Sequence, residues 1–273
     1  MGYSIFDETM VDMTWPEIEA AAAKGVIVLL PTGIIEEHGP HMGLAVDTYA
    51  SYLVARMVKH ELESRGIKPL IAPPPYWGVS EATSVFPGTF SVRPETLKAL
   101  IYDILASLHS WGLNRVFVIN WHGDIQHCLA ILDAIKDARR DTGVDACSIL
   151  TSGDLRRLRL TGNEEYILLQ KAPSLIGSDE KYVDVHAGSM ETAVMLKYFP
   201  RHVNAALAKK LKRTELTFDD LKGLGKSDAE TRKLIPQGYF GNPAGYDTKA
   251  AEKYINGCVE TAADCIEDYL KGK

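Results

Sequence analysis

The chain has few cysteines: 273 residues include only four, and no two of them form a CxxC pair. This spacing excludes a zinc knuckle and a thioredoxin-type redox motif. Reduced cysteines in the core of a cytoplasmic protein are expected instead. The first ten residues are too polar for a signal peptide, and no apolar run is long enough to cross a membrane. The sequence therefore predicts a cytoplasmic protein.

The chain also lacks a surplus of positive charge. Its 30 Lys and Arg residues against 36 Asp and Glu residues give a net charge of −6 and a pI near 5.8. Such a balance offers no basic surface to nucleic acid or to an anionic membrane, and a small-molecule substrate is predicted instead. At this length the chain can bury one large α/β core, so we predict a single domain over residues 1–273.

Apolar runs alternate with amphipathic helical patterns along the first 150 residues. Val26–Leu30 and Arg115–Asn120 have the composition of strands that are buried on both faces. The alternation indicates βαβ units, and it predicts an α/β fold with a mostly parallel sheet and helices on both faces. Further strands are predicted near residues 69–72 and 145–150, and helices near 14–25, 47–66, 93–112, 125–140 and 248–270.

Polar side chains crowd the segment that follows the first predicted strand. Glu36, Glu37, His38 and His41 come within a few positions, and Asp47 stands where the next helix begins. Carboxylates and imidazoles at the end of a buried strand are costly to desolvate unless a partner neutralises them, and a divalent metal does so well. The alternative is a polar loop in which Asp47 only caps its helix. His41 either lines the pocket or supports the loop.

Two later segments repeat this pattern. His122 and Asp124 follow the second buried strand, and Asp184, His186 and Glu191 precede an apolar helix. The carboxyl ends of parallel strands meet at one edge of a sheet, where ligand sites gather, so two strands ending in metal-binding residues favour a metal site. For the third segment the alternative is a capping residue with Glu191 interacting with the helix dipole.

These three segments together resemble the motifs of the creatininase (creatinine amidohydrolase) family. The family patterns LPxGxxEqHGpHLP…D, N-G-H-G/Y-x and D-x-HAG-x-x-ETS occur here in the same order, from about residue 14 to 260. Ala193 replaces the last serine of the third pattern, and Phe86–Thr89 matches the FPGT of the family's active-site loop. The matching positions are Leu30–Gly33, Glu36, His38–His41, Asp47, Asn120–Asp124 and Asp184–Thr192.

The resemblance implies a three-layer αβα fold and a cytoplasmic hydrolase with two divalent metal ions per chain, assembled as a homohexamer. Zinc is the first expectation for the ions, with manganese or iron as alternatives, because a set of Glu, Asp and His ligands accepts all of these metals. A hydroxide held between two ions attacks a carbonyl group, and a histidine delivers a proton to the leaving nitrogen.

The resemblance also implies a role for each matched residue. The last metal ligand stays open between Asp124, which stands where creatininase has a glutamate ligand, and Glu191 of the third motif. Asp184 is expected to orient the ring of His186. The implied set is Glu36 and His122 on one ion, His38 on the other, Asp47 bridging both, and His186 with Glu191 as catalytic residues.

Departures from the family pattern bear on the substrate. Trp121 stands where creatininase has glycine, Gly123 stands where it has an aromatic residue, and Ser80–Ser84 lacks the histidine often found before FPGT. These differences weigh against creatinine itself. The sequence predicts hydrolysis of a small cyclic amide or formamide. The alternatives are C–C cleavage of a carbocyclic diketone, as in inositol breakdown, and a family member that binds metal without catalysis.

Overall fold

The computed structural model describes residues 4–171, 173, 182–225 and 227–272. The polar start of the chain, on which the prediction of no signal peptide rests, lies partly outside these ranges. The centre of the molecule is a parallel sheet of five strands in the order β2-β1-β3-β4-β5. The strands are β1 (Val28–Thr32), β2 (Leu70–Ile71), β3 (Arg115–Asn120), β4 (Asp145–Thr151) and β5 (Ile167–Gln170).

Helices connect the strands and complete the C-terminal half of the chain. Short 3-10 turns at Met10–Asp12, Pro200–His202, Asp220–Gly223 and Pro243–Gly245 join some of them. The described helices are α1 (Trp15–Ala22), α2 (Val46–Ser64), α3 (Pro94–Ser110), α4 (Ile125–Thr142), α5 (Ser152–Leu158), α6 (Ser189–Tyr198), α7 (Ala205–Ala208), α8 (Asp228–Leu234) and α9 (Thr248–Lys271). Among the described residues, no helix is both long enough and apolar enough to span a membrane.

Successive strand residues point to opposite sides of the sheet, and helices bury both of these sides. Leu29 and Phe117 pack in one core cluster with α2, α6 and α9. Leu30 and Val118 pack in a second core cluster with α3 and α4. The predicted three-layer αβα arrangement with a parallel sheet is therefore confirmed.

Local sequence signals set several helix ends. Thr14 and Glu17 form a capping box at the start of α1, in which the Thr14 backbone N–H donates to Glu17 Oε2 over 2.7 Å. At the C-terminal end of α4, Gly143 adopts φ = 83°, a left-handed conformation that glycine reaches without strain. Asp247 caps α9 by accepting bonds from two backbone N–H groups.

The two central strands differ in how closely they follow the prediction. β3 spans the predicted residues, whereas β1 begins two residues later than expected because the N–H of Val26 is still bonded to Ala21 in the turn after α1. The strand then continues through Pro31. A proline is tolerated there because β2 pairs only with Val28 and Leu29, which leaves one side of β1 without a neighbour at that point.

Candidate metal centre

The exit from β1 packs directly against the start of α2. A Cβ atom on Gly33 would come within 2.9 Å of the carbonyl carbon and oxygen of Asp47, so only glycine fits at this contact. The contact places Glu36 and His38 next to the first turn of α2, which contains Asp47. All three side chains are at most 2% exposed. Three ionisable groups are therefore buried together at the carboxyl end of β1.

The first group of metal-competent atoms combines Glu36, Asp47 and His122. His122 Nδ1 lies 3.2 Å from Glu36 Oε1 and 3.1 Å from Asp47 Oδ2. Its other ring nitrogen, Nε2, donates to the carbonyl oxygen of Val79 over 2.9 Å. That bond fixes the tautomer and leaves the Nδ1 lone pair facing the carboxylates, which is the usual arrangement of a histidine metal ligand.

The second group combines His38, Asp47 and Glu191. His38 Nε2 lies 3.6 Å from Asp47 Oδ1 and 3.9 Å from Glu191 Oε2, distances that leave room for an ion between the atoms. His38 Nδ1 donates to the backbone carbonyl of Glu36 over 3.1 Å, so the Nε2 lone pair faces the group. The Ala187 N–H, held at φ = 50°, donates to Glu191 Oε2 over 2.5 Å and orients that carboxylate.

Asp47 belongs to both groups, with one carboxylate oxygen turned toward each. Its Oδ2 atom and Nε2 of His38 are buried and have no hydrogen-bond partner among the described residues. A buried polar atom without a partner carries a desolvation cost that native structures rarely leave uncompensated. A divalent metal would satisfy these atoms, and the carboxylate and imidazole donors fit such an ion.

Electrostatics point the same way. Burial lowers the pKa of His38, but the facing carboxylates, Asp47 first among them, outweigh burial and raise it to about 10. Burial works against the charged form of Glu36 as well, yet the charge of His122 holds the pKa of Glu36 well below its usual value. Burial raises the pKa of Glu191. The pocket thus favours a positive charge at its centre.

His186 forms a third group of metal-competent atoms with Glu36 and His38. Its ring centroid is 4.5 Å from that of His38, and its Nδ1 is 3.7 Å from Glu36 Oε1. Its Nε2 donates to the backbone carbonyl of Glu37 over 3.0 Å and lies 3.4 Å from the Glu37 carboxylate. Glu37 therefore orients the ring of His186, a role that could not be assigned to Glu37 from the sequence.

Asp184 does not perform the orienting role expected from the sequence. Its carboxylate accepts hydrogen bonds from the backbone N–H groups of Ser189 and Asn242. A Cβ atom on Gly188 or Gly241 would collide with this carboxylate. Asp184 thus holds the segment before α6 against the loop before α9, and it acts on His186 only through the backbone.

Asp124 lies outside all three groups of metal-competent atoms found among the described residues. Its Oδ1 accepts from the backbone N–H of His127 over 3.0 Å and caps α4, and its Oδ2 accepts from the N–H of Glu81 over 3.0 Å. Glu191, in contrast, faces His38. Of the two candidates for the last ligand, the geometry favours Glu191.

Removing the Asp124 side chain tests this distinction. We expect Asp124→Ala to lower the free energy of unfolding by about 1 kcal/mol through loss of the helix cap, with metal content unchanged. Glu191→Ala is expected to lower metal content instead. Urea unfolding and elemental analysis of both variants provide the measurements. Loss of one ion per chain in Asp124→Ala would return Asp124 to the ligand set.

Hydroxyl groups of the loop between β2 and α3 complete the surroundings of Glu36. Thr83 Oγ1 donates to Glu36 Oε2 over 2.5 Å and lies 2.6 Å from Ser80 Oγ. Thr89, from the FPGT segment, accepts from the backbone N–H of Glu37 over 3.2 Å. Ser80 and Thr83 belong to the segment that lacks the histidine often found before FPGT, and Thr83 fixes the orientation of the Glu36 carboxylate.

Two further histidines support the loops around the centre. His41 Nε2 lies 2.8 Å from Thr192 Oγ1, and burial together with nearby histidines lowers the pKa of His41 to about 4. His127 is fully buried, and its Nδ1 accepts from the N–H of Val79, the residue whose carbonyl holds His122. Of the two roles considered for His41, the contacts favour support of the loop.

Comparison with known proteins places this site in a family. The profile of the family described as creatininase, creatinine amidohydrolase, matches residues 11–266. The chain belongs to the creatininase family. A creatinine amidohydrolase of Pseudomonas putida is 28% identical over 207 residues, which cover 69% of this chain and 71% of that protein.

Other relatives of this creatininase-family chain have different names. A mycofactocin precursor peptide peptidase of Mycobacterium ulcerans is 30% identical over 170 residues, 61% of this chain and 62% of that protein. The chain thus matches about three fifths of the length of such peptidases. A 3-dehydro-scyllo-inosose hydrolase of Thermotoga maritima is 26% identical over 112 residues, 41% of this chain and 34% of that protein.

Solved creatininase structures share the fold. A crystal structure of creatinine amidohydrolase superimposes with a TM-score of 0.72 and 22% identity, and the match covers 96% of this chain and 97% of that one. At this low identity the superposition shows that the fold is shared, and it says nothing about the activity. The activity has to be inferred from the residues of the site. Related creatininase structures include a Zn–Zn form and a Mn form.

Proposed function

We propose that the chain is a hydrolase that uses two divalent metal ions to cleave an amide C–N bond. The observation that carries this proposal is the Asp47 carboxylate, which turns one oxygen toward Glu36 and His122 and the other toward His38 and Glu191. Zinc or manganese is the metal we propose, since oxygen and imidazole ligands accept both and creatininases have been solved with each.

The donor set would divide between two ions. Glu36 Oε1 and His122 Nδ1 would hold one of them, His38 Nε2 and Glu191 would hold the other, and Asp47 would contact both. Two bound divalent ions lower the pKa of a shared water toward neutrality and polarise a substrate carbonyl. Hydrogen bonds to neighbouring residues hold two of the ligands in place. His122 donates to the Val79 carbonyl and Glu36 accepts from the Thr83 hydroxyl, so their remaining donor atoms face the centre.

His186 would move the proton that amide cleavage requires. Burial lowers its pKa, but nearby carboxylates outweigh burial and raise the pKa above the usual value. Glu37 holds the Nε2–H, so Nδ1, which faces Glu36, is the atom that would exchange a proton with the reacting groups. Protonation of the leaving nitrogen from Nδ1 would complete the cleavage.

The substrate we propose is a small amide, with a cyclic amide or formamide as the first candidate. The peptidase relatives support a second candidate, a peptide bond. The inosose hydrolase covers the least of this chain, so C–C cleavage ranks third. A family member that binds metal without catalysis ranks last, because structural zinc sites are closed sets of four ligands, whereas six carboxylate and imidazole side chains converge here.

Metal removal combined with a substrate panel tests the proposal. We expect chelation to lower amidase activity at least about 100-fold while the far-ultraviolet circular dichroism stays unchanged, because the ions supply the nucleophile and not the fold. Added zinc or manganese should restore the activity. The panel comprises a lactam, a formamide, a short peptide and a cyclic diketone.

Three outcomes of this experiment distinguish the candidates. Turnover of one amide class that depends on metal supports the proposal and names the substrate. Turnover that persists in metal-free protein contradicts the two-ion mechanism. Metal-loaded protein that cleaves no member of the panel supports the non-catalytic alternative.

A further inference from the structure

A cavity with both polar and apolar walls lies beside the metal centre. It has a volume of about 200 Å³ and is lined by the last residues of three neighbouring strands: Asn120 of β3, Thr151 of β4 and Gln170 of β5. His122 also lines it, so the cavity and the metal centre share one wall. Open parallel sheets bind ligands at this edge, beyond the carboxyl ends of the strands.

Arg157 contributes a guanidinium group to this cavity with one nitrogen unused. Its Nη2 donates to Oδ1 of Asp154 over 2.7 Å, whereas Nη1 is buried and has no hydrogen-bond partner in the described part of the chain. A buried N–H of a permanently charged group is costly when no acceptor meets it. The cavity therefore offers a position for an acceptor that carries negative charge.

Asp154 holds the Arg157 side chain in position. Asp154 is itself anchored, because its Oδ2 accepts from the N–H and the hydroxyl of Thr151 over 2.9 and 2.7 Å. On the other side, a Cβ atom on Gly123 would lie 3.5 Å from Arg157 Nη1. Gly123 directly follows His122, so the unused nitrogen lies next to the segment that carries a candidate metal ligand.

The remaining walls supply an acceptor and aromatic surface. Gln170 Oε1 is buried and has no hydrogen-bond partner among the residues that the structure describes. Trp121 and Tyr254 line the cavity with their rings edge to face, 6.5 Å between centroids. A ligand that pairs with both Arg157 Nη1 and Gln170 Oε1 carries a carboxylate for the first atom and an N–H donor for the second.

We propose that this cavity binds the free carboxylate of the substrate, with Arg157 as the residue that determines this specificity. The inference rests on the proposed function, and it names the substrate class as an amide that carries a carboxylate and an N–H group, such as an N-acyl amino acid or a peptide with a free C-terminus. The shared wall at His122 places such a carboxylate beside the centre where its amide is cleaved.

A binding measurement tests the cavity without relying on turnover. The probe is N-(methanesulfonyl)glycine, which has the carboxylate and the N–H but no amide, and the control ligand is N-(2-hydroxyethyl)methanesulfonamide, which lacks the carboxylate. Isothermal titration of the metal-loaded protein should give a Kd for the probe at least about tenfold below that of the control ligand, because a charge-assisted hydrogen bond is made only by the probe.

Substitutions at neighbouring arginines assign the effect. Arg157→Met should bring the two Kd values within about twofold of each other. Arg157→Lys keeps the positive charge but not the planar guanidinium with its paired N–H donors, so it should retain part of the preference. Arg156→Met is the matched control, since Arg156 is exposed and lies outside the cavity. Equal Kd values in the wild-type protein, or a preference that survives in Arg157→Met, would overturn the inference.

Kinetics separate this inference from the proposed function. For a carboxylate-bearing amide, Arg157→Met should raise KM about tenfold with kcat nearly unchanged, because the contact is uniform through the reaction. Hydrolysis of neutral amides at equal efficiency would overturn the carboxylate site and leave the proposed function in place. Binding preference for the probe without hydrolysis of any amide would support the site and overturn the proposed function.

Discussion

Replacing Asp47 by alanine is expected to lower bound metal from about two ions per chain to fewer than one, and to lower activity by at least about 1,000-fold. The reason is geometric, because this single carboxylate faces both groups of candidate ligands. Its loss also leaves the remaining carboxylates and imidazoles without a charge that holds the two ions close together. Elemental analysis of protein purified without chelators, together with amidase assays, measures both effects.

The matched control for Asp47→Ala is Glu95→Ala. Each residue is an acidic side chain in the first turn of a long helix, α2 for Asp47 and α3 for Glu95, so each interacts with a helix dipole. Glu95 is exposed and distant in sequence from every candidate ligand. An unchanged metal content in Asp47→Ala would contradict a centre that shares this carboxylate. An equal loss of metal in both variants would instead show that removing a charge from the first turn of a helix causes the loss.

Replacing His186 by asparagine is expected to lower kcat by about 100- to 10,000-fold while metal content is retained. The variant removes the Nδ1 atom proposed to exchange the proton, whereas Glu36, Asp47 and His122 stay in place. Imidazole added to the assay should restore part of the activity, since it supplies the missing proton carrier. Steady-state kinetics and elemental analysis of the purified variant are the measurements.

His60→Asn serves as the control for His186→Asn. His60 is half exposed and pairs with Glu8 at the surface, so its removal should leave kcat within about twofold of wild type. Loss of an ion in His186→Asn would instead identify His186 as a ligand, consistent with its proximity to Glu36 and His38. Full activity in the variant would show that another group moves the proton.

The sequence predicted the fold best where hydrophobic periodicity was uninterrupted. β3 has the predicted bounds because its apolar run is bordered by polar residues on both sides. β5 (Ile167–Gln170) and α5 were not predicted, because a four-residue strand at the sheet edge and a seven-residue helix carry too little periodicity to be distinguished from a loop. β1 is shifted because Val26 bonds to the turn after α1, a local contact, and because Pro31 is tolerated where β1 has no neighbour on one side, a tertiary effect.

The sequence motifs indicated most of the polar residues that lie together in the centre. Which of them face the candidate metal site depends on side-chain direction, which the motifs do not show. Alternation along an extended segment places the Glu37 side chain opposite those of Glu36 and His38. The sequence therefore did not indicate a role for Glu37 in the site. The fold then brings His186, nearly 150 positions later, against Glu37. Asp124 illustrates the converse, since its spacing from His122 resembles that of a ligand, but its carboxylate caps a helix.

The two groups that share Asp47 draw on segments spread over more than half of the chain, from Glu36 to Glu191. During synthesis, β1 through β5 are all translated before Glu191, because each strand precedes it in the chain. An ion that arrives earlier meets the Glu36, Asp47 and His122 side without the Glu191 contribution. The group that contains Glu191 is therefore complete only after the group of Glu36, Asp47 and His122 has been made.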